Sequence, residues 1–205
     1  MDNRLIIFST LVAAAVVAKL FAPLIYSFLK PLPLLFILAL AFLKPVFPPG
    51  LWLAAVLCGL AGDLWLLSAR GFIPGLLSFL LGHVFYIFAF ARQRPGDAYA
   101  PVIVFAVASV SVLAFGYFAQ HLFRARNRKF ILPIFFYIAV TALFLLAALK
   151  NPLISYAAIG AILFAMSDFL LAFNKFIRPT VYVQAAVSLT YYAAQWLLAL
   201  HFGAI

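Results

Sequence analysis

Long apolar segments recur along almost the whole of this chain, separated by short stretches that contain proline, glycine and basic residues. The segments are continuously apolar rather than alternating, which predicts α-helices and not the strands of a barrel. About 20 helical residues cross the hydrocarbon core of a bilayer. We therefore expect an all-α integral membrane bundle, with a single polytopic domain over residues 1–205. The eight predicted transmembrane helices cover residues 4–22, 28–44, 51–69, 72–91, 99–120, 130–149, 152–172 and 180–202.

Composition supports an integral membrane protein and indicates how the chain is oriented in the membrane. Hydrophobic residues make up 69% of the chain and charged residues 9%, whereas soluble domains have about 45–50% and 25%. The net charge of +10 comes from short basic groups beside the apolar segments, the largest at 124–129. Such groups indicate membrane orientation and contact with anionic lipids rather than nucleic acid. Odd-numbered connectors carry nine basic residues and the opposite side five, so we expect the odd connectors to face the cytoplasm.

Two of the four acidic residues, Asp63 and Asp168, lie inside apolar segments. A charged group at that depth costs about 2.5–3.5 kcal/mol on insertion scales, so it is retained for function or buried against a partner. Both residues stand toward the ends of spans that run in the same direction, which places them near the odd-connector face. The structural alternative is an ion pair or hydrogen bond that only joins helices.

A weak internal repeat surrounds these aspartates. Shifting the chain by 105 residues places Asp63 on Asp168 and Tyr86 on Tyr191. Four spans separate the two copies, so the halves would share one orientation in the membrane. The pattern predicts two parallel four-helix repeats, with chance similarity between apolar helices as the alternative.

Further polar side chains could meet the aspartates in one half-buried cavity. Each has a structural alternative: an interfacial anchor for the lysine, a hydrogen-bonded core position for the histidine, and packing between helices for the others. No spaced metal motif such as HExxH or CxxC occurs, so no cofactor is expected. A metal site formed by the aspartates and the histidine stays open as an alternative. These side chains are Lys30, His83, Tyr86, Tyr191 and Gln195.

At these residues the chain resembles the YhhN family of multispan membrane proteins, which includes animal lysoplasmalogenases. The resemblance extends over most of the chain, and spans five and six are its least diagnostic part. It implies an eight-span layout and hydrolysis of the vinyl ether bond of lysoplasmalogens, which releases a fatty aldehyde and glycerophosphoethanolamine or glycerophosphocholine. The motifs are Lys30-Pro31, Gly62-Asp63 with Phe72, Gly75, Phe79, His83 and Tyr86, SDFLLAFNKF at 167–176, and TYYAAQ at 190–195.

The implied reaction suggests a role for each residue. A vinyl ether hydrolyses when an acid protonates its outer alkene carbon and an anion stabilises the resulting oxocarbenium ion. Low dielectric surroundings and a neighbouring carboxylate both help one carboxylic acid to keep its proton. We expect Asp63 and Asp168 to share these two roles, in either order, and His83, Tyr86 or Tyr191 to position water. The expected substrate-binding residues are Lys30, Asn174, Lys175, Tyr192 and Gln195, with Lys30, Asn174 and Lys175 nearest the phosphate.

Two other classes of function stay open. Intramembrane carboxyl groups and internal repeats also occur in proton-coupled transporters of small solutes. A different lipid hydrolase could use a metal-bound water. The expected partners are a lysophospholipid and the bilayer, without nucleic acid, and the expected location is a bacterial inner membrane.

Overall fold

The computed structural model describes residues 3–46, 48–68, 70–93 and 101–205. Within these ranges the chain forms α-helices and one 3₁₀ turn (Arg128–Phe130), with no strand, which confirms the all-helical prediction. The helices are α1 (Asn3–Phe21), α2 (Pro23–Leu29), α3 (Leu32–Phe42), α4 (Gly50–Trp65), α5 (Phe72–Ala91), α6 (Pro101–Arg124), α7 (Ile131–Ala148), α8 (Tyr156–Phe176) and α9 (Val181–His201).

Within the described ranges, six helical segments are long and apolar enough to cross a membrane. They correspond to α1, the α2–α3 segment from Leu24 to Phe42, α5, α6, α7 with its 3₁₀ turn, and α8. The α4 helix is shorter, with 16 residues, and α9 is not among the six, so the eight-span prediction is confirmed in part. Apart from the second span, four boundaries lie four residues from their predicted positions: α4 ends at Trp65 rather than 69, α6 ends at Arg124 rather than 120, and α8 covers Tyr156–Phe176 rather than 152–172. The predicted end at 69 and start at 99 lie outside the described residues.

The second span was predicted wrongly in one respect. Lys30 was expected near the start of a helix over 28–44, but the apolar segment begins at Leu24 and Lys30 lies inside it. The helix is interrupted there because Pro31 and Pro33 have no N–H to donate, so two hydrogen bonds of a continuous helix are missing; α2 ends at Leu29 and α3 begins at Leu32. The break places the Lys30 side chain inside the apolar segment and leaves the Lys30 carbonyl without a backbone donor among the described residues.

The bundle is apolar on the outside as well as in its core. Side chains such as Phe21, Leu24 and Phe105 are 81%, 84% and 74% exposed, which suits contact with lipid tails but not with water. The main core is shared by α1, α3, α4, α5, α7, α8 and α9. The α6 helix lies at the edge, where Phe118 and Leu122 contribute to a smaller cluster.

Two tightly packed helix hairpins carry the aspartates. In the α4–α5 hairpin, a Cβ added to Gly62 would lie 2.7 Å from the Phe79 ring, so only glycine permits this approach. In the α8–α9 hairpin, the Thr180 hydroxyl accepts a hydrogen bond from the Val183 amide and begins α9. Each aspartate thus lies in the first helix of its hairpin, near the connecting loop. The internal repeat itself stays a prediction.

Candidate functional site

A cavity of about 230 Å³ opens at the end of the bundle where the odd-numbered connectors lie. Its walls come from the end of α1, the break between α2 and α3, the ends of α4 and α8, and the starts of α5 and α9. Asp63, Asp168 and Lys30 all line it, together with Tyr191 and Tyr192. Four of the seven side chains expected to meet in one cavity therefore line it, and Tyr192 lines it as well, although the segments are up to 162 residues apart.

Asp63 is paired with Lys30. The Lys30 Nζ lies 3.3 Å from Asp63 Oδ1 and donates a hydrogen bond of 2.9 Å to the Asp63 backbone carbonyl. Both side chains are buried, with 7% and 4% of their surface exposed, so Lys30 is not an interfacial anchor. The Lys30 carbonyl, at the helix break, accepts a hydrogen bond of 2.6 Å from the Tyr192 hydroxyl. These contacts tie the break to both α4 and α9.

Asp168 has different partners. The Tyr137 hydroxyl donates a hydrogen bond of 2.8 Å to Asp168 Oδ1, and His83 Nε2 lies 3.2 Å from Asp168 Oδ2. The second contact is a close approach that does not have hydrogen-bond geometry. His83 is fully buried among the rings of Tyr137, Phe144 and Phe164. A lysine therefore faces one carboxyl group, and a phenol with an imidazole faces the other.

The histidine's tautomer follows from its other nitrogen. His83 Nδ1 lies 2.8 Å from the Phe79 carbonyl, and a carbonyl can only accept a hydrogen bond, so Nδ1 carries a proton. The remaining nitrogen, Nε2, faces Asp168. One proton between Nε2 and the carboxyl group then gives either a neutral histidine with a carboxylic acid, or an imidazolium with a carboxylate. Nε2 therefore stands where it could exchange a proton with the Asp168 carboxyl group.

The other predicted aromatic and amide residues lie at different depths. Tyr191 lines the cavity beside Gly59, where an added Cβ would lie 2.5 Å from the Tyr191 hydroxyl. Tyr86 donates a hydrogen bond of 2.7 Å to Gln195 Oε1, and both residues are fully buried. Neither Tyr86 nor Gln195 lines the cavity, and nor does His83. Contact of these three with a ligand in the cavity would therefore be indirect.

Lysines give the cavity a positive rim. Lys30 and the predicted Lys175 line it, as does Lys19 at the end of α1. The Lys175 ammonium lies 4.8 Å from the Phe72 ring and the Lys19 ammonium 4.3 Å from the Tyr26 ring. Three lysines against two aspartates leave an excess of positive charge, which favours a phosphate. Asn174 also lines the cavity, but its Oδ1 accepts a hydrogen bond of 2.8 Å from the Thr180 amide and holds the α8–α9 loop.

Sequence reasoning missed several residues around this site, including Tyr137 and Lys19. Tyr137 stands in the sixth predicted span, and nothing distinguishes it from the other eight tyrosines until the bundle brings it to Asp168. Lys19 was counted only among the basic residues that predict membrane orientation. Its position in the last turn of the first span could have placed it at the same face as the aspartates. Among the described residues, no group of three or more His, Cys, Asp or Glu side chains could hold a metal ion.

Comparison with known proteins gives a consistent result. The model of the YhhN family matches residues 25–202. The human protein named lysoplasmalogenase TMEM86B is 30% identical over 150 residues, covering 71% of this chain and 60% of its own length. The mouse protein of the same name is 30% identical over 167 residues, covering 78% of this chain and 68% of its own. The chain thus spans about 60% of the human relative. No solved structure matches it significantly.

Proposed function

The chain belongs to the YhhN family, and we propose from this premise that it is a membrane hydrolase of lysoplasmalogens. The bond cleaved is the vinyl ether, and the products are a fatty aldehyde and glycerophosphoethanolamine or glycerophosphocholine. The observation that supports this most is the cavity with two buried carboxyl groups in unlike surroundings. Two carboxyl groups with different partners can divide the roles of proton donor and anion.

Asp168 is the proposed proton donor. Its contact with the Nε2 of His83 provides one proton that the pair can hold between them. Tyr137 orients the carboxyl group through Oδ1 and leaves the other oxygen for proton transfer. Since Asp168 lines the cavity and His83 does not, the carboxylic acid delivers the proton and the histidine restores it.

Asp63 is the proposed anion. The Lys30 ammonium group lies 3.3 Å from Asp63 Oδ1 and provides a counter-charge for a carboxylate at this position. Its second oxygen, Oδ2, has no hydrogen-bond partner within the described part of the chain, although it is buried. An unpaired carboxylate oxygen at the edge of the cavity suits a positively charged intermediate that is present only during the reaction.

The proposed hydrolysis begins with proton transfer and ends with loss of the alcohol. The proton of Asp168 adds to the outer alkene carbon of the vinyl ether, and the carbon bonded to oxygen becomes the oxocarbenium centre. Water adds to that carbon, a proton returns to the Asp168–His83 pair, and the resulting hemiacetal divides into aldehyde and alcohol. One water is consumed and no other reactant is needed. Tyr191, which lines the cavity, is the proposed group that positions this water.

The lysines are proposed to hold the headgroup. A glycerophosphate ester carries its charge near the membrane surface, and Lys19 and Lys175 stand on the cavity walls near the helix ends. Lysine suits this task because its ammonium group acts as a mobile point charge toward phosphate oxygens. The predicted contacts of Tyr192 and Asn174 with substrate remain proposals, because both side chains already hold backbone groups.

The direct test is release of fatty aldehyde from an alkenyl lysophospholipid by the purified protein. We expect activity in the wild type and a loss of at least about a hundredfold in Asp168→Asn, because an amide cannot donate the proton. Asp63→Asn should also be strongly impaired. Asp2→Asn is the matched control, because Asp2 precedes the first apolar segment of the sequence, and it should retain wild-type activity. A folded wild type without aldehyde release would overturn the hydrolase and favour a proton-coupled transporter, which proton flux in sealed vesicles would then detect.

A further inference from the structure

A second cavity of about 120 Å³ lies beside the first, among α5, α6, α7 and α8. Its walls are almost entirely apolar, with alanines 114, 142, 165 and 172 contributing small side chains that leave the space open. The α6 wall belongs to the helix at the edge of the bundle. Unlike the first cavity, the second contains no lysine among its lining residues.

Two residues border both cavities. Phe72 and Asp168 line both of them, so the Asp168 carboxyl group stands between a polar space that contains lysines and an apolar space. A lysophospholipid has the same division, because its vinyl ether joins the glycerol headgroup to the hydrocarbon chain. A molecule placed with its headgroup in the first cavity and its chain in the second would hold the reacting bond at Asp168.

The second cavity also has a route to the bilayer. Val110 of α6 and Phe169 of α8 line it and are 65% and 41% exposed on the outer surface of the bundle. Such side chains face lipid tails in a membrane-spanning protein. A hydrocarbon chain could thus enter sideways from the membrane core without passing through water.

We propose that the second cavity binds the hydrocarbon chain of the lysophospholipid, with the chain entering between α6 and α8. The proposal rests on the proposed function for the identity of the chain. Its occupant is the substrate's own chain rather than an ordinary bilayer lipid, because Asp168, where the reacting bond must lie, borders this cavity as well as the first.

The test uses a saturated alkyl-ether lysophosphoethanolamine with a diazirine at the end of its chain, in lipid nanodiscs. This probe has no alkene and is not cleaved, so labelling does not depend on turnover. We expect mass spectrometry to find the label on α6 and α7 residues of the second cavity, such as Val110 and Ile138. Filling the cavity with Ala114→Leu should reduce this labelling roughly tenfold, as added methylene groups do in tight apolar pockets.

Matched variants make the result decisive. Ala106→Leu lies on the same helix but on its exposed surface, and it should label as the wild type does. Ala142→Leu narrows the cavity from α7 and should act like Ala114→Leu if the latter folds poorly, as judged by size-exclusion elution. Unchanged labelling in both filled variants would overturn the proposal. Equal labelling by a diacyl phospholipid with the same diazirine would also overturn it, because an ordinary lipid would then be the occupant.

The two hypotheses fail separately. If the cavity is labelled but no aldehyde is released from the alkenyl substrate, the hydrolase proposal fails while a lysolipid chain site remains. If aldehyde is released but the label lies outside the second cavity, only the chain site fails.

Discussion

The contacts of Asp168 allow a more specific test of the proposed mechanism than removal of the carboxyl groups. Tyr137 contacts Asp168 through one hydroxyl and is otherwise held by packing, including the ring of His83. Removing that hydroxyl should therefore change the chemistry of the carboxyl group while leaving the shape of the core intact. The same cannot be said of His83, whose ring contacts three aromatic neighbours.

We expect Tyr137→Phe to reduce kcat about ten- to a hundredfold with little change in KM. A hydrogen bond to a charged group contributes about 1.5–3 kcal/mol, and this one is proposed to orient the proton donor without contacting the headgroup. The measurement is steady-state aldehyde release across pH, since an altered pH profile distinguishes a change at the donor from general loss of folded protein. The control is Tyr156→Phe, because Tyr156 is exposed and lines neither cavity. A Tyr137→Phe enzyme with wild-type kcat at every pH would contradict this role.

At the scale of helices, the break between α2 and α3 is what brings Lys30 to Asp63. A continuous helix would offer no free carbonyl at Lys30 for the Tyr192 hydroxyl, and the lysine would stand in a different place on the helix surface. The buried pair consequently joins the break to α4. Pairs of this kind are costly to disrupt from one side, because the remaining charge is left unpaired in a medium of low dielectric.

We expect Lys30→Met to lower the free energy of unfolding by about 3–5 kcal/mol, the usual cost of leaving one buried charge unpaired. The double variant Lys30→Met/Asp63→Asn should recover much of that loss, because no isolated charge remains, but it should not recover activity. Equilibrium unfolding in mixed micelles measures the first quantity and aldehyde release the second. Lys129→Met, at an exposed position, should change neither. Equal unfolding free energies for the single and double variants would show that the pair does not couple these helices.

Much of this architecture could be predicted from the pattern of the chain. Continuous apolar segments identified the helices, and the rarity of acidic residues drew attention to Asp63 and Asp168, which share one cavity. The direction of each span placed both near one face of the bundle. These features depend on hydropathy and on the alternation of helix direction, which are readable along the sequence.

The remaining features depend on contacts between distant helices. The position of Tyr137 opposite Asp168, separated by 31 residues, follows from the packing of α7 against α8. The break at Lys30 was hidden because the predicted second span began at residue 28, so Lys30 was expected at the start of a helix rather than at an interruption within it. The inward position of Tyr86 and Gln195 likewise depends on the α5–α9 contact. None of these is encoded in the periodicity of a single helix.

In the whole molecule, the largest basic group and the cavity with the two aspartates lie on the same side of the bundle. The cavity opens at the odd-connector face, and the basic residues at 124–129 belong to the fifth connector. Connectors with an excess of lysine and arginine tend to stay in the cytoplasm. If the proposed function holds, the site would receive lysophospholipid from the cytoplasmic leaflet and release the water-soluble glycerophospho-alcohol into the cytoplasm.

Orientation can be measured because the chain has one cysteine, Cys58. In a Cys58→Ser background, Asn127→Cys marks the fifth connector and Leu153→Cys the sixth; both positions are exposed. With a maleimide that cannot cross membranes, we expect Leu153→Cys to react in intact bacterial spheroplasts and Asn127→Cys only after permeabilisation, because basic connectors resist translocation. The reverse pattern would place the cavity at the outer leaflet. Lysophospholipid made by phospholipases outside the cell would then be the accessible substrate, and the excess of basic residues would reflect phosphate binding rather than orientation.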